Sequence, residues 1–181
     1  MRLAPVSALY LYRILASFAH LAQPVFHIDI RAATWSESVH PPKMPIHYGP
    51  SINLENAKKA VALALAEARK NNWTMAAAIV DGAGNLVYFE KMDNTQIGSV
   101  NVAIEKARSA ALFKRPTKAF EDALASGAGG LRVLGVHCAV PIEGGIPLLM
   151  DGNIVGAIGI SGETSQQDGQ CASAPRQPRT T

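Results

Sequence analysis

Few side chains in this sequence combine reactive chemistry with a place near organised structure. His47 stands just ahead of the first helical pattern and His137 opens an apolar run; each imidazole can ligate a metal or move a proton near neutral pH. For His137 the alternative is a half-buried strand residue bonded to backbone. For His47 it is an inert surface position, unless an oligomer brings a neighbouring subunit within reach. Met92, at the end of an apolar segment, offers a thioether that could ligate or simply pack. Gly144-Gly145, beside Glu143 and Pro147, can present backbone N–H groups to an anion or make a tight connection between strands. Lys106 borders the stripe Val100, Ala103, Ile104, Ala107 and Ala111, so it, rather than Arg108, can point towards such an anion site; a solvated helix charge is the alternative. Asp93 is placed to pair with Lys106, to accept a proton or to stabilise a turn. Cys138 follows His137 in a segment that reads as a strand, where neighbours face opposite sides, so a Cys–His pair is not expected.

These residues need elements to hold them. Apolar residues at 54, 57, 60, 61, 64, 65 and 68 form an i, i+3, i+4 stripe, which predicts an amphipathic helix over 53–69, capped by Ser51 or Asn53 and ended by Asn71-Asn72. Met75–Val80 and Leu86–Met92 flank the turn residues Asp81-Gly82-Ala83-Gly84-Asn85, a predicted hairpin. A second helix runs from about Ser99 to Phe113 and stops before Arg115-Pro116. Thr117 is read as the cap of a short third helix, Lys118–Ala125. Beyond the glycines at 127, 129 and 130 come three strand-like segments, Val136–Ile142, Ile146–Met150 and Ile154–Ile160, the last two joined by the hairpin signature Asp151-Gly152-Asn153. The order suits an α+β fold with an antiparallel sheet covered by helices. Gly156 and Gly159 inside the last strand point to a close approach by a helix, a ligand or another subunit.

The 181 residues suffice for one domain, and 48% hydrophobic composition with 6% aromatics predicts a core of Ala, Val, Ile and Leu. The formal charge of +3 comes from the ends, because residues 44–171 hold 11 basic and 12 acidic side chains. Without a Lys/Arg stripe, nucleic-acid binding is set aside. No run reaches the ~18–20 apolar residues of a spanning helix, so a transmembrane role is set aside as well. The two cysteines make neither a disulfide framework nor a structural zinc site. Residues 1–48 read as an appended segment, either a degenerate export signal, which would make the protein periplasmic or secreted, or an extended start ahead of Met44, which would leave it cytoplasmic. Residues 49–171 carry the organised domain, and 172–181 read as a disordered tail.

Several patches in fixed order resemble the GlcG/HbpS family of small heme-binding proteins, which is similar to the carboxy-terminal domain of PduO-type adenosyltransferases. They are Ile79-Val80-Asp81-Gly82-Ala83-Gly84-Asn85-Leu86-Val87 with Lys91-Met92-Asp93, then Lys106-Ala107-Arg108 leading to Phe113-Lys114-Arg115-Pro116-Thr117. Glu143-Gly144-Gly145-Ile146-Pro147, Asp151 through Gly162, and Ser165-Gln166-Gln167-Asp168 complete the set. The resemblance implies a five-stranded antiparallel sheet flanked by helices, assembly into homo-oligomers from dimer to octamer, and heme as the cofactor. Heme iron needs an axial ligand and apolar walls, so His137 becomes a candidate metal ligand, with His47 and Met92 as others. Lys106, Gly144 and Gly145 become candidates for the heme pocket or its propionates. The chain departs from the family at Ser173-Ala174-Pro175, which interrupts a closing helix.

Three readings follow. The first is a small oligomeric heme-binding or tetrapyrrole-binding protein with a redox, iron-sensing or heme-handling role. The second is an enzyme on a small carboxylate or carbonyl metabolite, with Lys106 or the Gly144-Gly145 amides as anion site and Asp93 or Glu143 as acid/base group. The third is a scaffold subunit without ligand chemistry. No established catalytic motif is present.

Overall fold

The computed structural model describes residues 46–176, all within the unit Met44–Thr181. Residues 1–45 of the appended segment, with His20, His27 and His40, and the end of the chain from 177, lie outside the described residues. Helix α1 spans Leu54–Lys70, and its cap is Asn53, whose side chain accepts from the Asn56 amide at 2.8 Å. Strands β1 (Ala76–Asp81) and β2 (Leu86–Lys91) form the expected hairpin. Asp81 closes its turn by accepting from the amides of Ala83 and Asn85, each at 2.9 Å. Helix α2 covers Ser99–Phe113 and α3 Lys118–Ala125. Strands β3 (Gly145–Met150) and β4 (Asn153–Ser161) meet at Asp151 and Gly152, both at positive φ as the tight hairpin requires. Helix α4 runs Ser165–Ser173 behind a capping box made by Thr164 and Gln167.

The α+β class stands, but among the described residues the sheet has four strands, not five, antiparallel in the order β2-β1-β4-β3. The expected strand at Val136–Ile142 does not form. A 3₁₀ segment, Ala128–Gly135, leads into it, and its amides turn inward: Val136 bonds to Val133 and Ala139 to Val136, while Pro141 has no N–H to offer a ladder. Short backbone bonds instead attach residues 47–52 to the start of β4, where the Ile154 amide donates to the His47 carbonyl at 2.8 Å.

The two faces of the sheet differ in side-chain size. Ile79, Ile146, Leu148, Ile158 and Ile160 face α1 and α4. Ala76, Ala78 and Ala157 face Ala103, Ala107, Ala110 and Ala111 of α2. The register sets Gly145 opposite Gly159, which leaves a patch without Cβ atoms under α2. A methyl group on Gly159 would meet the Ala103 carbonyl oxygen and lie 2.5 Å from the Ala107 nitrogen, so the sequence expectation of a close helix approach is met by α2 itself.

Two further expectations change. Thr117 does not cap α3 through its side chain; its hydroxyl accepts from the Gly145 amide at 2.9 Å. Ala172, placed in the tail by the sequence, is fully buried near the end of α4, and Ala174–Arg176 form a 3₁₀ turn against α1, so residues 172–176 belong to the fold.

Candidate functional site

Lys106 is 1% exposed on α2, and its ammonium donates to the Asp168 carboxylate of α4 at 2.6 Å. Asp168 also accepts from the Glu163 amide at 3.2 Å. The connection passes Gly144, just ahead of β3. Gly144 sits at φ +127°, and a Cβ there would fall 2.9 Å from the Lys106 nitrogen and 2.7 Å from the Ile160 carbonyl oxygen, so only a glycine leaves the lysine its path. Burial lifts the Asp168 carboxyl above the usual carboxylate range against the pull of Lys106.

The structure therefore brings Lys106, Gly144 and Gly145 together as the sequence reading supposed, but it fills the space between them. The Gly145 N–H is taken by Thr117, and the Lys106 charge by Asp168. Asp93 is not the partner of Lys106. Asp168 was present in the sequence patches without an assigned role, and only its acidic type beside a buried-face lysine could have signalled the pairing. Glu143 lies across Gly169 of α4, and its amide donates to the Glu121 carboxylate at 2.7 Å. Desolvation, then the Glu121 charge, pushes its own carboxyl up.

Met92 packs against the α1-side core and lines a cavity of about 360 Å³ with Arg69, Glu90, Lys91 and Asp93. Four charged walls out of five make poor contacts for an apolar macrocycle. His47 is exposed, its backbone pinned to β4.

His137 is exposed at the tip of the loop that replaces the expected strand. Cys138 adopts φ +66°, the left-handed region that few non-glycine residues enter. That turn places the two neighbouring side chains on one side, with Cys138 Sγ 2.9 Å from His137 Nδ1. The expectation of opposite faces rested on a strand that does not exist here. The loop is anchored where the Val140 amide donates to Ser109 of α2 at 3.1 Å. Around the imidazole in the chain stand the exposed apolar residues Leu131, Leu134, Val136 and Ile142. Among the described residues, no group of three or more His, Cys, Asp or Glu side chains is placed to hold a metal ion, and no helix is long and apolar enough to cross a membrane.

Among the described residues, an antiparallel sheet between α1 and α4 on one side and α2 on the other defines the class of small helix-covered α+β domains. Residues 52–176 match the family described as "Haem degrading protein HbpS-like", and the chain belongs to that family. Protein GlcG of Escherichia coli K12 is 36% identical over 110 residues, which cover 61% of this chain and 81% of the relative. Two solved structures share the fold at 26% identity. One is HbpS, with a TM-score of 0.64, covering 76% of this chain and 96% of that one. The other is a heme complex of PduOC, with a TM-score of 0.62, covering 69% and 92%.

Proposed function

We propose that this protein binds heme at the Leu131–Ile142 loop, where His137 would hold the iron. The observation that carries the reading is the His137 ring itself: it is exposed, Nδ1 lies 2.9 Å from Cys138 Sγ, a contact that orients the imidazole, and Nε2 is the atom that would ligate. Membership of a family described by haem degradation and likeness to a heme complex support the choice of ligand. The exposed Leu131, Leu134, Val136 and Ile142 suit the apolar faces of the macrocycle. Bound there, the iron supplies redox chemistry, which the protein tunes through the histidine and the polarity around it. Exposed apolar side chains on the loop and the outer edge of β3 also favour a homo-oligomer in which a second copy covers part of this face.

The small-metabolite enzyme loses support, since the Gly145 amide and the Lys106 charge of its anion site are taken by the protein's own Thr117 and Asp168. Titration of hemin into the purified protein, followed at the Soret band, tests the heme reading. A saturable shifted band at up to one heme per subunit, abolished by His137→Ala and retained by His47→Ala and Met92→Leu, is the expected result. A non-saturating response, or a band insensitive to His137→Ala, overturns it.

A further inference from the structure

The heme reading leaves the ligand's propionates without a partner, because Lys106 and the Gly145 amide, their candidates from the sequence, are engaged inside the fold. Resting on that reading, we propose that Arg132 is the propionate-binding residue of the loop and makes it selective for tetrapyrroles whose rim carboxylates are free.

Elimination singles out this side chain. The cations of α2, of α3 and of the turn between them are all engaged by the protein's own groups. Lys106 holds Asp168, Arg108 donates to Glu105 at 2.6 Å and to the Gly84 carbonyl at 3.2 Å, and Lys118 pairs with Asp122. Lys114 donates to the Ile46 carbonyl and lies 4.3 Å from the centre of the Tyr48 ring. Arg115 donates to the Phe113 carbonyl and lies 5.7 Å from the centre of the Phe120 ring. Arg132 is exposed and makes no ion pair among the described residues. A free guanidinium offers a carboxylate two parallel N–H donors.

The element that carries Arg132 sets it beside the apolar side chains. Ala128–Gly135 is a 3₁₀ segment, in which residues three apart stand one above the other. Leu131 and Leu134, 55% and 67% exposed, share one edge. Arg132 shares the next edge with Gly135, which has no side chain to cover it. One short segment thus pairs an apolar edge with a cation, which matches a macrocycle that is apolar on its faces and anionic at its rim. The segment is seated on α3, since a Cβ at Gly130 would meet the Ala123 carbonyl oxygen. From Arg132 to His137, three residues rise about 2 Å each and two extend by at most about 3.6 Å each, so the two Cα atoms lie no more than about 13 Å apart. That span keeps the rim of a macrocycle bound at His137 within reach of a long side chain. At the other end of the loop, the Glu121 carboxylate accepts from the Glu143 amide, and its negative charge disfavours propionates there.

The test titrates two probes, hemin and its dimethyl ester, into the full-length parent and into Arg132→Gln and Arg132→Lys. The parent is expected to bind hemin about fivefold more tightly than the ester, the scale of a partly exposed ion pair. Arg132→Gln is expected to lose that preference while the Soret maximum stays in place, because the iron ligand is untouched. Arg132→Lys keeps the charge without the fork and is expected to recover part of the preference. The side chain is exposed, and unchanged far-ultraviolet circular dichroism verifies that the variants fold. A saturable band in the parent with equal hemin affinity in Arg132→Gln overturns the assignment alone, as does equal binding of hemin and ester by the parent. A parent without a saturable band for either probe overturns the heme reading and this assignment with it.

Discussion

Lys106–Asp168 and His137–Cys138 are both held at hydrogen-bond length, 2.6 and 2.9 Å, yet they stand in opposite environments. The first joins two helices that lie on opposite faces of the sheet, through a gap kept open by the missing side chain of Gly144. Its partners are 1% and 3% exposed, and no other molecule can reach them without displacing the protein's own groups. The second is made by chain neighbours on a surface loop, open to solvent and to ligands. A buried charge pair is thus an architectural joint here, while the exposed pair sits on a loop that takes no part in the ladder.

The contrast can be broken most forcefully at the buried pair. Lys106→Ala leaves an unmatched carboxylate in the interior and is expected to lower unfolding free energy by about 3–5 kcal/mol in a urea melt. Lys106→Met combined with Asp168→Leu should recover most of that loss, which a purely catalytic pair would not predict. Next in size is Gly159→Ala. Its methyl group meets the α2 backbone rather than a flexible side chain, and a loss of about 1–3 kcal/mol is expected by the same measurement. His137→Ala should change stability by no more than about 0.5 kcal/mol while it removes the hemin Soret shift, so a large stability loss would erase the distinction between the regions.

The smallest effects are in pH dependence, where two carboxyls have opposite signs. Burial outweighs Lys106 in raising Asp168, so its contribution to stability is present below the ordinary carboxylate value and lost as pH rises through the raised one. For Asp81, burial pushes upward too, but hydrogen bonds from Asn85, Ala83 and Gly84 outweigh it and hold the carboxyl low. Its contribution is present above the ordinary value and lost as pH falls through the lowered one. Urea melts of Asp168→Asn and Asp81→Asn across pH 2–6 should remove the two slopes separately.

Local patterns were legible where the chain signals were local. The α1 stripe, the Asp81 turn, the Asp151-Gly152 hairpin and the proline after α2 all predicted what forms. The loop at Val136–Ile142 misread as a strand because apolar composition does not state whether a ladder partner exists, and here its amides bond within the segment. That single error also hid the Cys–His contact, since side-chain direction was inferred from strand geometry. The Lys106 partner was beyond sequence reasoning for a different cause: the two residues are 62 positions apart, and only the packing of α2 and α4 around the sheet joins them.

The glycine-floored seat for α2 also bears on the order in which the chain can fold. Gly159 and Asp168 emerge from synthesis long after α2 itself, so the alanine face of that helix has no completed surface to dock on until the final third of the domain is available. A nascent chain halted before β4 would hold Ala103, Ala107 and Ala111 against β1 alone, and would remain dependent on whatever shields it until the last hairpin closes.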